Sequence, residues 1–291
     1  MHAYAYRGSA DLTRLQAYNA EQIAQCRSGW MEPGDIPHRI YNVCRRHDPA
    51  RIVRLWEDDA GTLIGWAFAY PEDSFDLQAT DETVLAEALA WVCSTLTGDV
   101  IKTDVWNRDD PRAGWLHAQG FEPVPDSHPY YLTIRDLRDP IPDPVVPEGF
   151  TIRAAEGVHE AGKLAEVHAG AFGSSWTPES YAKVMQSPGY AAEREIVVVS
   201  PDERFAAFTV TWHDERNKTG YFEPVGTHKD FQRLGLGRAM LYYAMQGMRA
   251  IGLEQAVVAH QSPDMNPGAA ALYATVGFRM AYTTSQVQRK R

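Results

Sequence analysis

The run Gln232-Arg233-Leu234-Gly235-Leu236-Gly237 is the part of this 291-residue sequence best suited to chemistry. A strand predicted over Tyr221–Thr227 leads into it, and a helix predicted over Arg238–Ala250 follows, with Gly252 placed to end it. Glycines let phosphate oxygens approach backbone N–H groups that a side chain would shield. A helix start beneath such a loop adds unsatisfied donors and positive potential. Arg233 and Arg238 can add charge beside a phosphate. No Gly-Lys-Ser/Thr closes the run, and its glycine spacing is not GxGxxG. It is therefore neither a Walker loop nor the dinucleotide fingerprint.

Two further stretches give the loop its context. Glu223-Pro224-Val225-Gly226-Thr227-His228 leads into it, and Asn266-x-x-Ala269-x-x-Leu272-Tyr273-x-x-x-Gly277-Phe278 lies downstream. With Gln232-x-x-Gly235-x-Gly237 they resemble the acetyl-CoA-binding elements of the GCN5-related N-acetyltransferase (GNAT) superfamily. The motifs span about the last third of the chain, and the order of strands and helices extends the likeness over the second half. The resemblance implies that backbone amides of Arg233, Leu234, Gly235, Leu236 and Gly237 hold the pyrophosphate of CoA, with Gln232 and Arg238 beside them. It implies that the Glu223–Thr227 strand splays from its neighbour and holds pantetheine through Val225, Gly226 and Thr227. Pro224 suits a bulge there, because it removes a ladder donor. Asn266 is expected to contact the cofactor or to cap the helix after it. Tyr273 matches the family's usual general acid.

Acetyl transfer to an amine needs three things. The amine must lose a proton, and Glu223 is the candidate base, directly or through water. On an alternating strand it would share a face with Tyr221 and Val225. The carbonyl oxygen needs a donor, and a backbone N–H near Val225 or Thr227 suits. The CoA sulfur must leave as a thiol, with Tyr273 as proton source. His228, His213, Asp214 and Glu215 are weaker base candidates, and Trp176 and Tyr181 either line a substrate pocket or pack in the core. The expected activity is N-acetyl transfer from acetyl-CoA to a primary amine of a small molecule, by direct attack in a ternary complex. The rival readings are a tailoring acyltransferase like mycothiol synthase, which shares the tandem layout, and a CoA-binding module without turnover.

These residues need a scaffold, and the sequence shows two. Asp139–Gly149 carries Pro140, Pro142, Pro144 and Pro147, which exclude helix interior and central strand. It divides residues 1–138 from 150–291 as a linker at 139–149. Each half opens on a short strand ending in arginine, Tyr4–Arg7 and Phe150–Arg153. Each continues with two helices, Asp11–Arg27 and Ile36–Arg46 in the first, Val158–Ala171 and Pro178–Gln186 in the second, where Thr177 suits an N-cap. A β pair follows around a turn, Ile52–Trp56 with Leu63–Tyr70 and Ile196–Val199 with Phe205–Trp212. Each half later reaches a helix ending in Gly-Phe, at Gly120-Phe121 and Gly277-Phe278, and a closing strand, Tyr130–Leu137 and Ala281–Val287. The expected fold is α/β: two tandem GNAT-like domains, each a mixed, mostly antiparallel twisted sheet flanked by helices.

The first half departs from the pattern where the cofactor should bind. Aligned on Gly-Phe, Leu116 stands where Tyr273 stands in the second half, and His117 is one residue out of register. The stretch Pro71–Asp81 before a helix at Glu82–Leu96 has no glycine and four acidic residues, which would repel a pyrophosphate. This half is expected not to bind CoA and to serve as scaffold and cleft wall.

Composition sets the remaining bounds. A net charge of −10, with no basic run beyond Arg289-Lys290-Arg291, argues against nucleic acid as a partner. No stretch of about 18 apolar residues suggests a membrane span, and the N-terminus shows no secretory signal. Cys26, Cys44 and Cys93 form no CxxC pair, so neither a disulfide framework nor a metal site is expected. The ten histidines give no metal-ligand constellation. These features point to the cytoplasm, and two fused halves point to a monomer.

Overall fold

The computed structural model describes residues 1–26, 30–43, 47–107 and 110–291. Arg27 and Arg46, the expected ends of two helices, and Cys44 lie outside the described residues, as does the side chain of Cys26. The chain forms two compact units, Met1–Tyr131 with Tyr282–Arg291 and Leu132–Ala281.

In the first unit β1 (His2–Ala5) precedes α1 (Ser9–Cys26), α2 (Asp35–His38) and α3 (Pro49–Ile52). Strands β2 (Val53–Glu57), β3 (Leu63–Ala69) and β4 (Phe75–Ala79) follow, then α4 (Glu82–Thr95), β5 (Val100–Trp106), α5 (Ala113–Ala118) and β6 (Glu122–Pro123). The strand order β1-β2-β3-β4 is antiparallel throughout. Local chemistry makes the β2–β3 turn: Asp58 Oδ1 accepts from Ala60 N at 2.9 Å and Thr62 N at 2.8 Å, and Gly61 takes φ +80°. One face of the sheet packs Leu12, Leu15, Ile36, Trp66 and Phe68, the other Leu77, Leu85, Leu89, Val92 and Leu116. The second helix expected over Ile36–Arg46 is α2 running on into a π-helical turn, Arg39–Val43.

The second unit begins inside β7 (Tyr130–Asp136), continues with β8 (Thr151–Ala154), α6 (Ala161–Phe172), α7 (Pro178–Met185), β9 (Glu195–Val199), β10 (Phe205–Asp214) and β11 (Thr219–Thr227). Helix α8 (Leu236–Ala250), β12 (Gln255–Gln261), α9 (Pro267–Thr275) and the start of β13 (Arg279–Lys290) complete it. Its strand order is β7-β12-β11-β10-β9-β8. Thr177 caps α7 as the sequence suggests, accepting from Ser180 N at 3.2 Å with Pro178 at the first helical position. Helix α8 packs Met240, Leu241, Met245 and Met248 against Ile196, Val198, Ala207 and Phe222. Each such side chain removed from water stabilises the unit by about 1.5–3 kcal/mol.

The two units repeat one element order, strand, helices, three strands, helix, strand, helix. Their closing strands are exchanged. Residues 284–290 of β13 pair antiparallel with β5, Thr284 opposite Trp106 and Lys290 opposite Val100, and the chain from Tyr282 on counts with the first unit. Leu132–Asp136 counts with the second, where Thr133 Oγ1 donates to Val258 O at 3.3 Å and Leu137 N to Glu254 O at 2.8 Å. The boundaries therefore fall at 131/132 and 281/282 rather than at the proline segment. That segment packs as a strap in the second unit: Ile141 and Val146 join the α8 core, and Gln246 Nε2 donates to Pro142 O at 3.2 Å.

Candidate active site

The site begins as a gap between strands. β11 and β12 pair in parallel only at Thr219–Tyr221 with Gln255–Val257. Beyond Tyr221 the strands part. On its other edge β11 stays paired to β10, with a register shift: Thr211 faces Phe222, yet Thr209 faces Val225. Val210 therefore opposes both Glu223 and Pro224, a β-bulge at the position expected from Pro224. The Glu223–Pro224 peptide is cis, and the Glu223 carbonyl accepts from Trp212 Nε1 at 2.9 Å.

The ladder fixes which backbone groups face the gap. His228 N donates to Ala206 O at 2.9 Å, so Gly226 with Phe208 is also a hydrogen-bonded pair. Val225 and Thr227 occupy the alternate register, and their N–H and C=O groups point away from β10 toward the gap. The Gly226 amide faces β10. Its missing side chain is what matters, because a Cβ there would lie 2.5 Å from Phe208 Cε1 and 3.0 Å from Ala171 Cβ.

The glycine loop borders this gap. A 3₁₀ turn, Lys229–Phe231, leads to exposed Gln232, Arg233 and Leu234. Arg233 at φ +67° and Gly235 at φ +78° are left-handed, and Gly235 is the N-cap of α8 with no side chain to offer. The first intrahelical bond is Ala239 N to Gly235 O at 3.1 Å. The amides of Leu236, Gly237 and Arg238 therefore have no acceptor within the helix. Gly237 lets this helix end approach β11 and α9, since a Cβ would lie 3.4 Å from Thr227 Oγ1 and 3.3 Å from Leu272 Cδ2. Helix α8 thus starts two residues earlier than expected, inside the motif. A glycine cap, open helix amides and an unpaired strand edge suit a ligand with a pyrophosphate and an amide-bearing tail.

Tyr273, on α9, is 6% exposed. Burial, and then the negative charge of Glu223, raise its hydroxyl above the usual phenol range, so it stays protonated at neutral pH. Glu223 is half-buried at the bulge. The expectation that it shares a face with both Tyr221 and Val225 is corrected. Tyr221 pairs with Trp212, whose ring meets Tyr190 at 6.4 Å, whereas Val225 packs in the α8 core with Leu236 and Tyr273. The bulge breaks the alternation between them. Asn266 caps α9, accepting from Ala269 N at 3.1 Å with Pro267 at the first helical position.

His260 escaped the sequence reading. It lies on the splayed part of β12, its ring 5.1 Å from that of Tyr273, and its Nδ1 pairs with Gln261 O at 2.8 Å. Burial lowers its basicity. The signal was the alternation Ala256, Val258, His260 just before the Asn266 helix.

Other candidates lie elsewhere. His228 is buried against Gly170 and accepts from Asp230 N at 3.2 Å. Asp214 accepts from Asn217 N at 3.1 Å in the β10–β11 turn, next to exposed Glu215. His213, near that turn, is pushed down to about 4 by burial and Arg194. Trp176 and Tyr181 are core residues: Trp176 Nε1 donates to His168 Nε2 at 3.2 Å, and Tyr181 OH to Glu195 at 2.6 Å. Among the described residues one group has metal-ligand types, Glu156, His159 and Glu160, but Arg153 already pairs with Glu160 at 2.6 Å.

Residues 162–278 match the model of the acetyltransferase (GNAT) family. That stretch contains the bulge, the gap, the loop and Tyr273. The C-terminal unit is a GNAT domain. The chain is also similar in fold to three solved structures along almost its whole length. A tandem GNAT protein from the clavulanic acid biosynthesis pathway has TM-score 0.64 at 14% identity, over 99% of this chain and 98% of that one. An acetyltransferase of the GNAT family from Colwellia psychrerythraea has TM-score 0.63 at 11% identity, over 100% of both. A GCN5-related N-acetyltransferase from Sphaerobacter thermophilus has TM-score 0.61 at 16% identity, over 99% and 95%. No curated protein sequence matches the chain. The two units are GNAT-like folds in tandem, and the GNAT domain supports acyl transfer as the chemistry.

Proposed function

We propose that the protein transfers an acetyl group from acetyl-CoA to a primary amine of a small molecule, using the C-terminal unit alone. The observation that carries this is the strand gap, with the Val225 and Thr227 edges facing it, set between the Gly235 helix start and Tyr273. CoA supplies the thioester. The amides of Leu236, Gly237 and Arg238 bind its diphosphate, helped by the guanidinium groups of Arg233 and Arg238. The Val225 and Thr227 edges take the pantetheine amides, and one of these N–H groups donates to the carbonyl oxygen as it gains charge.

Glu223 accepts the amine proton, directly or through a water. Tyr273 holds its proton at neutral pH and donates it to the departing sulfur. The amine attacks in the ternary complex, with no acyl-enzyme. Release of free thiol from acetyl-CoA, followed across a panel of primary amines, polyamines and amino sugars, tests the reading. Amine-dependent thiol release supports it. Acetyl-CoA binding with no release for any amine overturns it in favour of a CoA-binding module.

A further inference from the structure

The first unit repeats the gap and the helix start, and its own side chains occupy both. β4 pairs antiparallel with β3 and meets β5 only at an isolated parallel bridge, Ser74 with Lys102. This is the counterpart of β11 between β10 and β12. Tyr70 N donates to Ser74 O at 2.8 Å, which puts Leu77 in the register whose C=O points away from β3. It matches the edge that Val225 and Thr227 present in the second unit.

Arg112, 3% exposed, reaches this edge. Its Nη1 donates to Leu77 O on β4 at 2.7 Å and its Nη2 to Asp104 O on β5 at 3.2 Å. One guanidinium therefore bridges the two strands where they have no ladder. Asp110 fixes it, accepting from Arg112 Nε at 3.1 Å, Nη2 at 2.9 Å and the Arg112 amide at 2.8 Å. Asp110 also accepts from Trp106 N at 3.1 Å.

The helix start is filled too. Between β11 and α8 the chain has eight residues, 228–235, whereas between β4 and α4 only Thr80 and Asp81 remain. Within Pro71–Asp81, Phe75–Ala79 is strand β4, which runs almost directly into the helix. Asp81 caps α4, its Oδ1 accepting from Thr83 N at 2.8 Å and Val84 N at 3.3 Å. A carboxylate stands where α8 has only Gly235.

We infer that the first unit is closed to CoA by an internal mimic: Asp81 takes the helix amides that would meet a diphosphate, and Arg112 takes the strand carbonyls that would meet pantetheine. Its gap is a guanidinium site whose ligand is part of the chain. The charge signs follow the groups answered, an anion for N–H donors and a cation for carbonyl acceptors. The inference concerns the first unit alone and stands whether or not the second transfers an acyl group.

The test uses the full chain carrying Arg112→Ala, with ethylguanidinium as probe. The variant should melt below wild type and bind one ethylguanidinium that restores part of the melting temperature, while the wild type binds none. Acetyl-CoA affinity in the second unit should stay within about twofold, less than 0.5 kcal/mol. If Arg112→Ala does not fold, Arg112→Lys carries the test: it keeps the charge but loses the planar fork that reaches Leu77 O, Asp104 O and Asp110 together, and should still melt below wild type. Wild-type melting in Arg112→Lys overturns the inference, as does equal ethylguanidinium binding by wild type and Arg112→Ala.

Discussion

Glu195→Gln isolates the cost of one buried carboxylate in the second unit. Glu195 begins β9 and is fully buried, its carboxylate accepting from Tyr181 OH at 2.6 Å and Tyr190 OH at 2.5 Å. Burial pushes its pKa up to about 7 from an ordinary 4.5, against the pull of the two hydroxyls and with a small contribution from Glu160. A raised folded pKa means that the folded state holds the proton more tightly than the unfolded chain. The stabilisation is complete below pH 4.5 and is lost as pH rises to about 7. A shift of this size corresponds to about 3 kcal/mol, an upper bound before relaxation. The side-chain amide introduced by Glu195→Gln keeps an acceptor for a tyrosine hydroxyl and has no proton to lose. Denaturant unfolding of both proteins from pH 4.5 to 8 measures the difference in stability. Wild type should lose about 3 kcal/mol relative to the variant across that range and level off above it. A difference that stays constant with pH would refute the assignment of a costly buried charge to Glu195.

Tyr273→Phe should lower kcat by about 10²–10³-fold with little change in acetyl-CoA affinity, because it removes a proton donor and keeps the ring in the core. Steady-state kinetics beside calorimetry reads both. Asn266→Ala should cost about 1 kcal/mol in thermal stability through loss of the α9 cap. It should leave acetyl-CoA affinity within about twofold, and a larger loss would assign Asn266 a direct contact. Gly226→Ala should destabilise by about 1–3 kcal/mol, since its Cβ would lie 2.5 Å from Phe208 Cε1. A melting temperature equal to wild type would show that the α6 side is looser than the packing indicates.

The site's parts were legible where chemistry requires particular residue types. Gly235 had to be glycine at φ +78°, Thr177 and Pro178 had to start a helix, and Pro224 had to sit where a ladder donor is missing. What sequence periodicity hid was the consequence of the bulge. Two residues against Val210 turn Val225 to the opposite face from Tyr221, and no spacing rule at Glu223 announces it. β4 was obscured differently. Phe75, Leu77 and Ala79 do alternate, but the four acidic residues of Pro71–Asp81 are what the sequence shows first, and five apolar and polar residues alone are a short strand signal. The exchange of closing strands depends on which edge each meets after folding, information that β7 and β13 do not carry locally. Arg112 was equally silent, since its function as a bridge exists only once β4 and β5 have parted.

Calorimetric titration of acetyl-CoA into wild type and Gly235→Glu counts the cofactor sites of the chain and asks whether the α8 start is one of them. Gly235 sits at φ +78°, where a side chain costs about 1–2 kcal/mol, and the new carboxylate would face the diphosphate at the α8 start. One site per chain in wild type and at least a hundredfold weaker binding in the variant are expected. Two sites in wild type, or binding that survives Gly235→Glu, would contradict it.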